Sequence, residues 1–198
     1  RIFCGLSQPS SGKAIVAGFD CSTQHEQVKR HIGYMSQRFS LYDDLTVEEN
    51  MTLFGGIYGM NKSEIKTRTE EMLEELGIGD KRHEMVGALP LGWKQKLAFS
   101  LAIFHEPSIV FLDEPTGGVD PVTRRQFWEL IYKAADSGIT VFVTTHYMDE
   151  AEYCDRVSIM VDGRINALGS PAQLKKQFHG NSMYDVFYAL ARTAKRGD

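Results

Sequence analysis

The chain has 198 residues, of which 42% are hydrophobic and 24% are charged, a composition that is typical of a globular domain and excludes a disordered or fibrous chain. Lys and Arg number 22 against 26 Asp and Glu, and the resulting formal charge of −4 argues against a nucleic-acid-binding module, which usually has a basic excess. The cysteines Cys4, Cys21 and Cys154 include no C-x-x-C pair, and no run approaches the ~20 apolar residues of a membrane span, so a disulfide framework, a zinc site and a transmembrane segment are not predicted.

The amino-terminal part of the chain predicts strands and turns. Residues 1–6 are typical of the end of a helix that Gly5 closes, and residues 13–17 and 32–35 are runs of strand length. Because the chain starts on apolar residues without an initiator methionine, we expect it to be a piece of a longer protein.

Helical patterns dominate residues 38–106. The capping-box pattern of residues 46–49 begins a first helix, and Asn61 begins a second helix that Gly77 ends. A third helix is predicted from about residue 92 to residue 105.

A strand–helix–strand unit follows. Residues 109–112 are continuously apolar, a helix runs from Asp120-Pro121 to Gly138, and residues 139–144 form the next strand. This order predicts a parallel sheet with a right-handed crossover. Four aromatic residues of the unit are predicted to lie in the core: Phe111, Phe127, Trp128 and Phe142.

The carboxyl-terminal part predicts a hairpin and two short helices. Asp162-Gly163 is a strong signal for a tight turn between two strands. Ser170 and Ser182 are each suited to cap the start of a helix.

Polar residues follow three of the predicted strands, where the chain leaves the sheet. Asp113 and Glu114 follow one strand, Gln37 follows another, and His146 follows the third. Ligands of an open α/β sheet bind outside the carboxyl ends of its strands. Of two adjacent carboxylates, one can hold Mg²⁺ through water while the other activates a nucleophilic water. A solvated turn is the alternative for Asp113 and Glu114, and the Gln and His at neighbouring strand ends make it less favourable.

These segments together resemble the nucleotide-binding subunit of ABC transporters. The resemblance implies an α/β fold, with a P-loop NTPase-like parallel sheet core that is incomplete at the amino end and an inserted α-helical lobe. It divides the chain into a remnant of the ATP-binding core (1–37), a helical signature lobe (38–106), the rest of the core (107–170) and carboxyl-terminal helices (171–198). The matching segments are residues 33–37, 45–50, 111–121, His146 and 156–164.

The same resemblance implies roles for single residues, with ATP and Mg²⁺ as the cofactors. Asp113 would bind Mg²⁺ together with Gln37, and Glu114 would polarise the attacking water. His146 would contact the γ-phosphate, and Asp120 would contact nucleotide from the D-loop. Two alternatives stay open, because Asp120 before a proline is also a good helix N-cap and His146 could be a core histidine.

One departure from the family is the phosphate-binding motif G-x-x-x-x-G-K-[ST], which does not occur in the chain. The segment Ser11-Gly12-Lys13-Ala14 does not match this motif. Ser7 stands where the first glycine is required, and Ala14 has no hydroxyl for Mg²⁺. We therefore expect the loop, its strand and the adenine-stacking aromatic residue to lie upstream of Arg1. The full-length protein would be an ATPase, and this chain alone would be inactive.

The other departure is the family's signature L-S-G-G-x, which here is Leu89-Pro90-Leu91-Gly92-Trp93. In the family this helix start offers free N–H groups to the ATP that the partner subunit binds. Pro90 has neither a hydroxyl nor an N–H, whereas Gly92 still allows a close approach. The variant resembles drug-efflux ATPases that have separate permeases. Alternatively, Pro90 is simply a proline at a helix start.

The resemblance implies the ATP-binding subunit of an ABC exporter, peripheral to the cytoplasmic face of the membrane, that couples ATP hydrolysis to transport. The implied partners are a second ATP-binding domain, head to tail, and a transmembrane permease subunit, with no nucleic acid. The segment 38–60 is expected to contact the permease through exposed Phe39, Leu41 and Tyr42; alternatively, these three residues pack within the domain. Two alternatives remain: a non-transport ABC ATPase acting on nucleic acid or the ribosome, and a non-catalytic interaction fragment.

Overall fold

A computed structural model describes residues 1–192 of the chain, so the last six residues of the predicted carboxyl-terminal segment 171–198 lie outside the described part. Contacts divide the chain into two compact units, residues 1–144 and a second unit that starts at Thr145. The four-part division proposed above follows motifs rather than contacts, and it stays a prediction.

The first unit contains a short hairpin and a parallel sheet. The middle strand of the sheet pairs in parallel with both neighbours, and the pairs Met35–Leu112 and Asp113–Thr144 set the register. The carboxyl ends of all three strands therefore lie at one edge, which confirms the predicted α/β fold with a parallel sheet. In chain order the strands are β1 (Ile15–Val16) and β2 (Phe19–Asp20) of the hairpin, then β3 (Ile32–Met35), β4 (Ile109–Asp113) and β5 (Thr140–Thr144), with the sheet order β3-β4-β5.

Most helices of this unit begin and end where the sequence predicts. Capping boxes at Thr46 and Asn61 start two of them, and Gly77, with a φ of 66°, ends the second in the left-handed conformation. The helices are α1 (His25–His31), α2 (Val47–Ile57), α3 (Lys62–Leu76), α4 (Leu91–Ala102) and α5 (Pro121–Asp136).

The sequence analysis missed the helix α1, because it predicted strands and turns for this part of the chain. The segment contains a single buried residue, Val28, and no side chain caps its start. A helix with one apolar position has no apolar periodicity, so the pattern that predicts the other helices is missing here.

Clusters of buried side chains help to hold the first unit together, and two of them are described below. One lies among the helices α2, α3 and α4 and includes Met51, Met72 and Leu97. The other joins the amino-terminal segment to the sheet through Cys4, Val28 and other residues. Three of the predicted core aromatics are buried: Phe111, Phe127 and Trp128.

The prediction for Phe142 is wrong, because 45% of this residue is exposed. It lies on β5, which pairs with β4 on one side and with no further strand in the described part of the chain. A strand at the edge of a sheet has fewer neighbours to cover its side chains than a central strand has.

The second unit contains the predicted hairpin and both predicted helices. β6 (Val157–Val161) and β7 (Arg164–Gly169) pair antiparallel around the turn at Asp162-Gly163. Capping boxes at Ser170 and Ser182 start α6 (Pro171–Gln177) and α7 (Met183–Ala191). Across residues 1–192, the helices are too short or too polar to cross a bilayer.

Candidate functional site

The first contact at the strand ends joins Gln37 to Glu114. Gln37 follows β3, Glu114 follows β4, and Gln37 Nε2 donates a hydrogen bond to Glu114 Oε2 at 2.8 Å. Glu114 is half-buried, whereas Gln37 is exposed. An amide that donates to one carboxylate oxygen fixes the direction of that carboxylate and still leaves the pair accessible to a ligand from solvent.

The neighbouring carboxylate, Asp113, is held from the other side by β5. Thr144 Oγ1 donates to Asp113 Oδ1 at 2.6 Å, and the two residues are register partners in the sheet. This role of Thr144 was missed by the sequence analysis, which named only His146 after this strand. The signal that could have found it is the register of two parallel strands that both end in a polar residue.

The backbone at Glu114 turns sharply out of the sheet. Its φ is 47°, in the left-handed region, which costs a residue other than glycine roughly 1–2 kcal/mol. The Glu114 N–H donates to the Thr144 carbonyl oxygen at 3.0 Å, and the Glu114 carbonyl accepts from the Gly117 N–H at 3.2 Å. These bonds hold the strained turn and thereby the side chain that it presents.

Asp120 lies at the end of the loop that follows Glu114, and it caps α5. Its Oδ1 accepts from the N–H groups of Val122 and Thr123 at 3.0 and 3.1 Å, and its Oδ2 accepts from the Thr123 hydroxyl at 2.5 Å. The Thr123 hydroxyl, with these N–H groups, lowers the pKa of Asp120. The capping role considered above is therefore present, and the contact with nucleotide stays a prediction.

The signature segment leads into α4, and no side chain caps that helix start. Leu89 is buried, Pro90 occupies the N-cap position and 45% of Leu91 is exposed. A Cβ on Gly92 would lie 2.8 Å from Thr123 Cγ2, so the packing of α4 against α5 requires glycine there. Trp93 is half-buried and packs against the helical cluster. The segment thus presents uncapped backbone N–H groups, which suits an anion.

Gln95, on α4, was not singled out by the sequence analysis. It is only 1% exposed, and its Nε2 donates to the Gly117 carbonyl oxygen at 3.0 Å. A glutamine inside a helix is normally expected on the surface, so nothing in the sequence marks it.

His146 belongs to the second unit, where it is exposed and its ring lies 4.1 Å from the ring of Tyr147. The contact of His146 with the γ-phosphate stays a prediction.

The donor set at the strand ends suits Mg²⁺ that arrives with a phosphate ligand. Within residues 1–192 there is no cluster of three or more His, Cys, Asp or Glu side chains that could hold a metal ion. Mg²⁺ commonly uses one or two carboxylates and takes its other ligands from phosphate and water. Asp113 would supply one carboxylate, and the side-chain oxygen of Gln37 would be a further oxygen ligand of the preferred kind.

Comparison with known sequences places the chain among ATP-binding proteins of transporters. The family described as ABC transporter matches residues 1–117. A probable multidrug ABC transporter ATP-binding protein of Escherichia coli, YbhF, is 46% identical over 177 residues, which is 89% of this chain and 31% of YbhF. The linearmycin resistance ATP-binding protein LnrL of Bacillus subtilis is 32% identical over 92% of this chain and 59% of its own length. The chain thus spans about a third of the first relative and somewhat over half of the second.

Solved structures give the same result. The ATP-binding subunit of an ABC transporter superposes with a TM-score of 0.83 at 28% identity, covering 95% of this chain and 80% of that one. The cbiO1 protein of Clostridium perfringens, part of the transporter complex cbiONQ, superposes with a TM-score of 0.77 at 27% identity, covering 89% and 72%.

Proposed function

The chain belongs to the ABC transporter family of ATP-binding domains, and from this premise we propose that it serves an exporter as its ATP-hydrolysing subunit. The supporting observation is the site at the strand ends. There Gln37 donates a hydrogen bond to Glu114, and the neighbouring Asp113 accepts one from Thr144. Export is favoured because YbhF is described as a probable multidrug transporter protein and LnrL as a linearmycin resistance protein. The proposed location is the cytoplasmic face of the membrane, with a permease as partner.

We infer the chemical roles from the positions of the side chains. Glu114 accepts the proton of a water that attacks the γ-phosphate, and its bond from Gln37 Nε2 holds it in one orientation. Asp113, with Gln37, holds Mg²⁺, and Thr144 keeps the Asp113 carboxylate directed out of the strand end. Bound Mg²⁺ supplies positive charge against the phosphates. From the resemblance to the family, and not from their positions, we further propose that His146 contacts the γ-phosphate and that Asp120 adds a contact from its loop.

The proposed partner of the site is a second ATP-binding domain, arranged head to tail. Residues 89–93 of one domain then face the ATP of the other, and the uncapped N–H groups at the start of α4 bind its γ-phosphate. Because Pro90 lacks both a hydroxyl and an N–H, this contact relies on the backbone after it. The net charge of −4 is unfavourable for the alternative of a nucleic-acid partner.

The nucleotide affinity of the 198-residue chain tests the proposal against a non-catalytic interaction fragment. Its sequence lacks the backbone cradle and lysine that bind the β- and γ-phosphates, so we expect Mg-ATP binding at least about 100-fold weaker than in a form extended by a G-x-x-x-x-G-K-[ST] loop and its strand. Calorimetric titration of both forms measures this difference.

The control for this titration is Asp113→Asn in the extended form, which should weaken binding in the presence of Mg²⁺ more than in EDTA. Micromolar affinity of the 198-residue chain for ATP would contradict the proposed loss of the phosphate site. An extended form that binds but never hydrolyses ATP would favour the interaction fragment.

The contact with the permease is proposed for the segment after Gln37. Tyr42 is 48% exposed and Phe39 is half-buried, whereas Leu41 packs against the helical cluster, as the alternative of packing within the domain requires. We therefore keep Phe39 and Tyr42 as the contact residues.

Charge substitutions test this surface. Phe39→Glu and Tyr42→Glu should lower transport by the assembled exporter at least about tenfold, because each puts a charge into an apolar interface, while the ATPase stays folded. Transport into vesicles and the unfolding midpoint are the measurements. Lys62→Glu, an exposed charge reversal at the start of α3, is the control. Loss of folding in Tyr42→Glu would mean that Tyr42 is a core residue.

A further inference from the structure

The side chain of Gln95 connects the signature helix to the loop that carries Glu114. Gln95 lies on α4, and Gly117 lies in the loop between β4 and α5. The Gln95 Nε2 group donates to the Gly117 carbonyl oxygen at 3.0 Å, in a side chain that is 1% exposed. A hydrogen bond that is shielded from water is not weakened by competing solvent.

The orientation of this amide is fixed by chemistry. A backbone carbonyl only accepts hydrogen bonds, so the NH₂ end of Gln95 must face Gly117. The other end, Oε1, is buried and has no hydrogen-bond partner among residues 1–192. Stability alone does not favour a buried, half-satisfied amide over an apolar side chain of the same shape. The donor end is what an apolar residue could not supply.

The hydrogen bond from Gln95 is linked to Glu114, the proposed base, through Gly117. The Gly117 N–H donates to the Glu114 carbonyl oxygen at 3.2 Å, so Gly117 is held by Gln95 on its carbonyl and by Glu114 on its N–H. Glu114 is the residue with the strained φ of 47°. A small movement of Gly117 therefore changes the turn that aims the Glu114 carboxylate.

Next to this hydrogen bond, Gly118 of the loop packs close to Leu91 of α4. A Cβ on Gly118 would lie 3.6 Å from Leu91 Cδ2, an ordinary van der Waals distance. Apolar contacts tolerate small sliding, whereas a hydrogen bond at 3.0 Å defines a distance and a direction. The bond from Gln95 thus fixes a distance and a direction for the Gly117 carbonyl.

We propose that Gln95 is a positioning residue, which couples the start of the signature helix to Glu114 through Gly117. Binding of nucleotide at the signature segment would then change the position of Glu114, the proposed general base, in the same domain. This inference rests on the proposed function, in which Glu114 is the base and residues 89–93 bind the nucleotide of a partner domain. It adds a connection within one chain between these two sites.

The test is Gln95→Met, which keeps the length of the side chain and removes the donor. The matched control is Lys96→Met, on the same helix, which removes a bond from Lys96 Nζ to Gln126 Oε1 of α5 and does not touch the loop. In the 198-residue chain, hydrogen exchange in the backbone of residues 114–120 should be about tenfold faster in Gln95→Met than in Lys96→Met. The unfolding midpoints of the two variants should lie within a few degrees of each other.

The second arm measures catalysis in the form that contains the phosphate-binding loop. Gln95→Met should lower kcat about tenfold, which is ~1.4 kcal/mol of activation free energy, with KM for ATP within about twofold of the parent. Lys96→Met should leave both constants near those of the parent. If Gln95 only filled space, Gln95→Met would change the stability of the protein but would not lower kcat at a constant KM.

The outcomes separate the inference from the proposed function. Equal exchange rates, or equal kcat values, in the Gln95 and Lys96 variants would overturn the role of Gln95. A loop-containing parent that hydrolyses no ATP, or a Glu114→Gln variant that hydrolyses normally, would instead overturn the proposed function, and the exchange experiment would still decide whether Gln95 holds the loop.

Discussion

Replacing Glu114 by glutamine in a form of the protein that contains the phosphate-binding loop should lower ATP hydrolysis by about 10²–10⁴-fold while ATP binding is retained. Glutamine has the shape of glutamate but cannot accept a proton from water at neutral pH. It can still accept the hydrogen bond that Gln37 Nε2 donates to Oε2 at this position. We therefore expect the variant to fold, to bind ATP and to accumulate as a closed dimer. Phosphate release and nucleotide titration are the measurements.

The control for this prediction is Asp113→Asn in the same background. Asp113 is the proposed Mg²⁺ ligand, so its variant should lose affinity for Mg-ATP, whereas the Glu114 variant should lose turnover. Hydrolysis by Glu114→Gln at close to the parent rate would contradict the assignment of Glu114 as the base.

The largest effect on stability is expected at Gly33, in the middle of β3. A Cβ there would lie 1.9 Å from the carbonyl oxygen of Ala102, the last residue of α4, and 3.1 Å from Val110 Cγ2. Neither the strand nor the helix end can move away without losing its hydrogen bonds. We expect Gly33→Ala to lower the free energy of unfolding by about 3 kcal/mol or more, because overpacking a core against backbone is costly. Urea denaturation of the 198-residue chain measures it.

Gly56→Ala is the matched control for Gly33→Ala. Gly56 lies on α2, is exposed, and a Cβ there would meet no other atom within 4 Å. Alanine has the higher helix propensity, so this variant should gain about 0.5–1 kcal/mol in the free energy of unfolding. Equal effects of the two substitutions would mean that the close contact between β3 and α4 does not exist.

The regular elements could largely be predicted because their ends are marked by local chemistry. Thr46, Asn61, Asp120, Ser170 and Ser182 all cap the helices that the sequence assigns to them. Local signals fail where burial depends on distant parts of the chain. The helix around Val28 has no periodic apolar face, and the exposure of Phe142 follows from the place of β5 at a sheet edge.

The sequence predicts which residues of the candidate site lie at the strand ends, but it does not predict the contacts that orient them. Parallel strands bring their carboxyl ends together, so Gln37, Asp113 and Glu114 were expected near one another from their positions alone. The contacts that orient these side chains come from residues with no motif. Thr144 depends on strand register and Gln95 on how α4 packs against the loop, and neither distance can be obtained from spacing along the chain.

The backbone conformation of Glu114 has a consequence for attempts to make this protein more heat-resistant. Glycine or asparagine adopts this left-handed conformation at a lower cost than glutamate, so either residue would reduce the backbone strain of the folded state. Neither provides a carboxylate. A selection for thermal tolerance would enrich the variants that give up the proposed chemistry, and a library for that purpose should hold residue 114 constant.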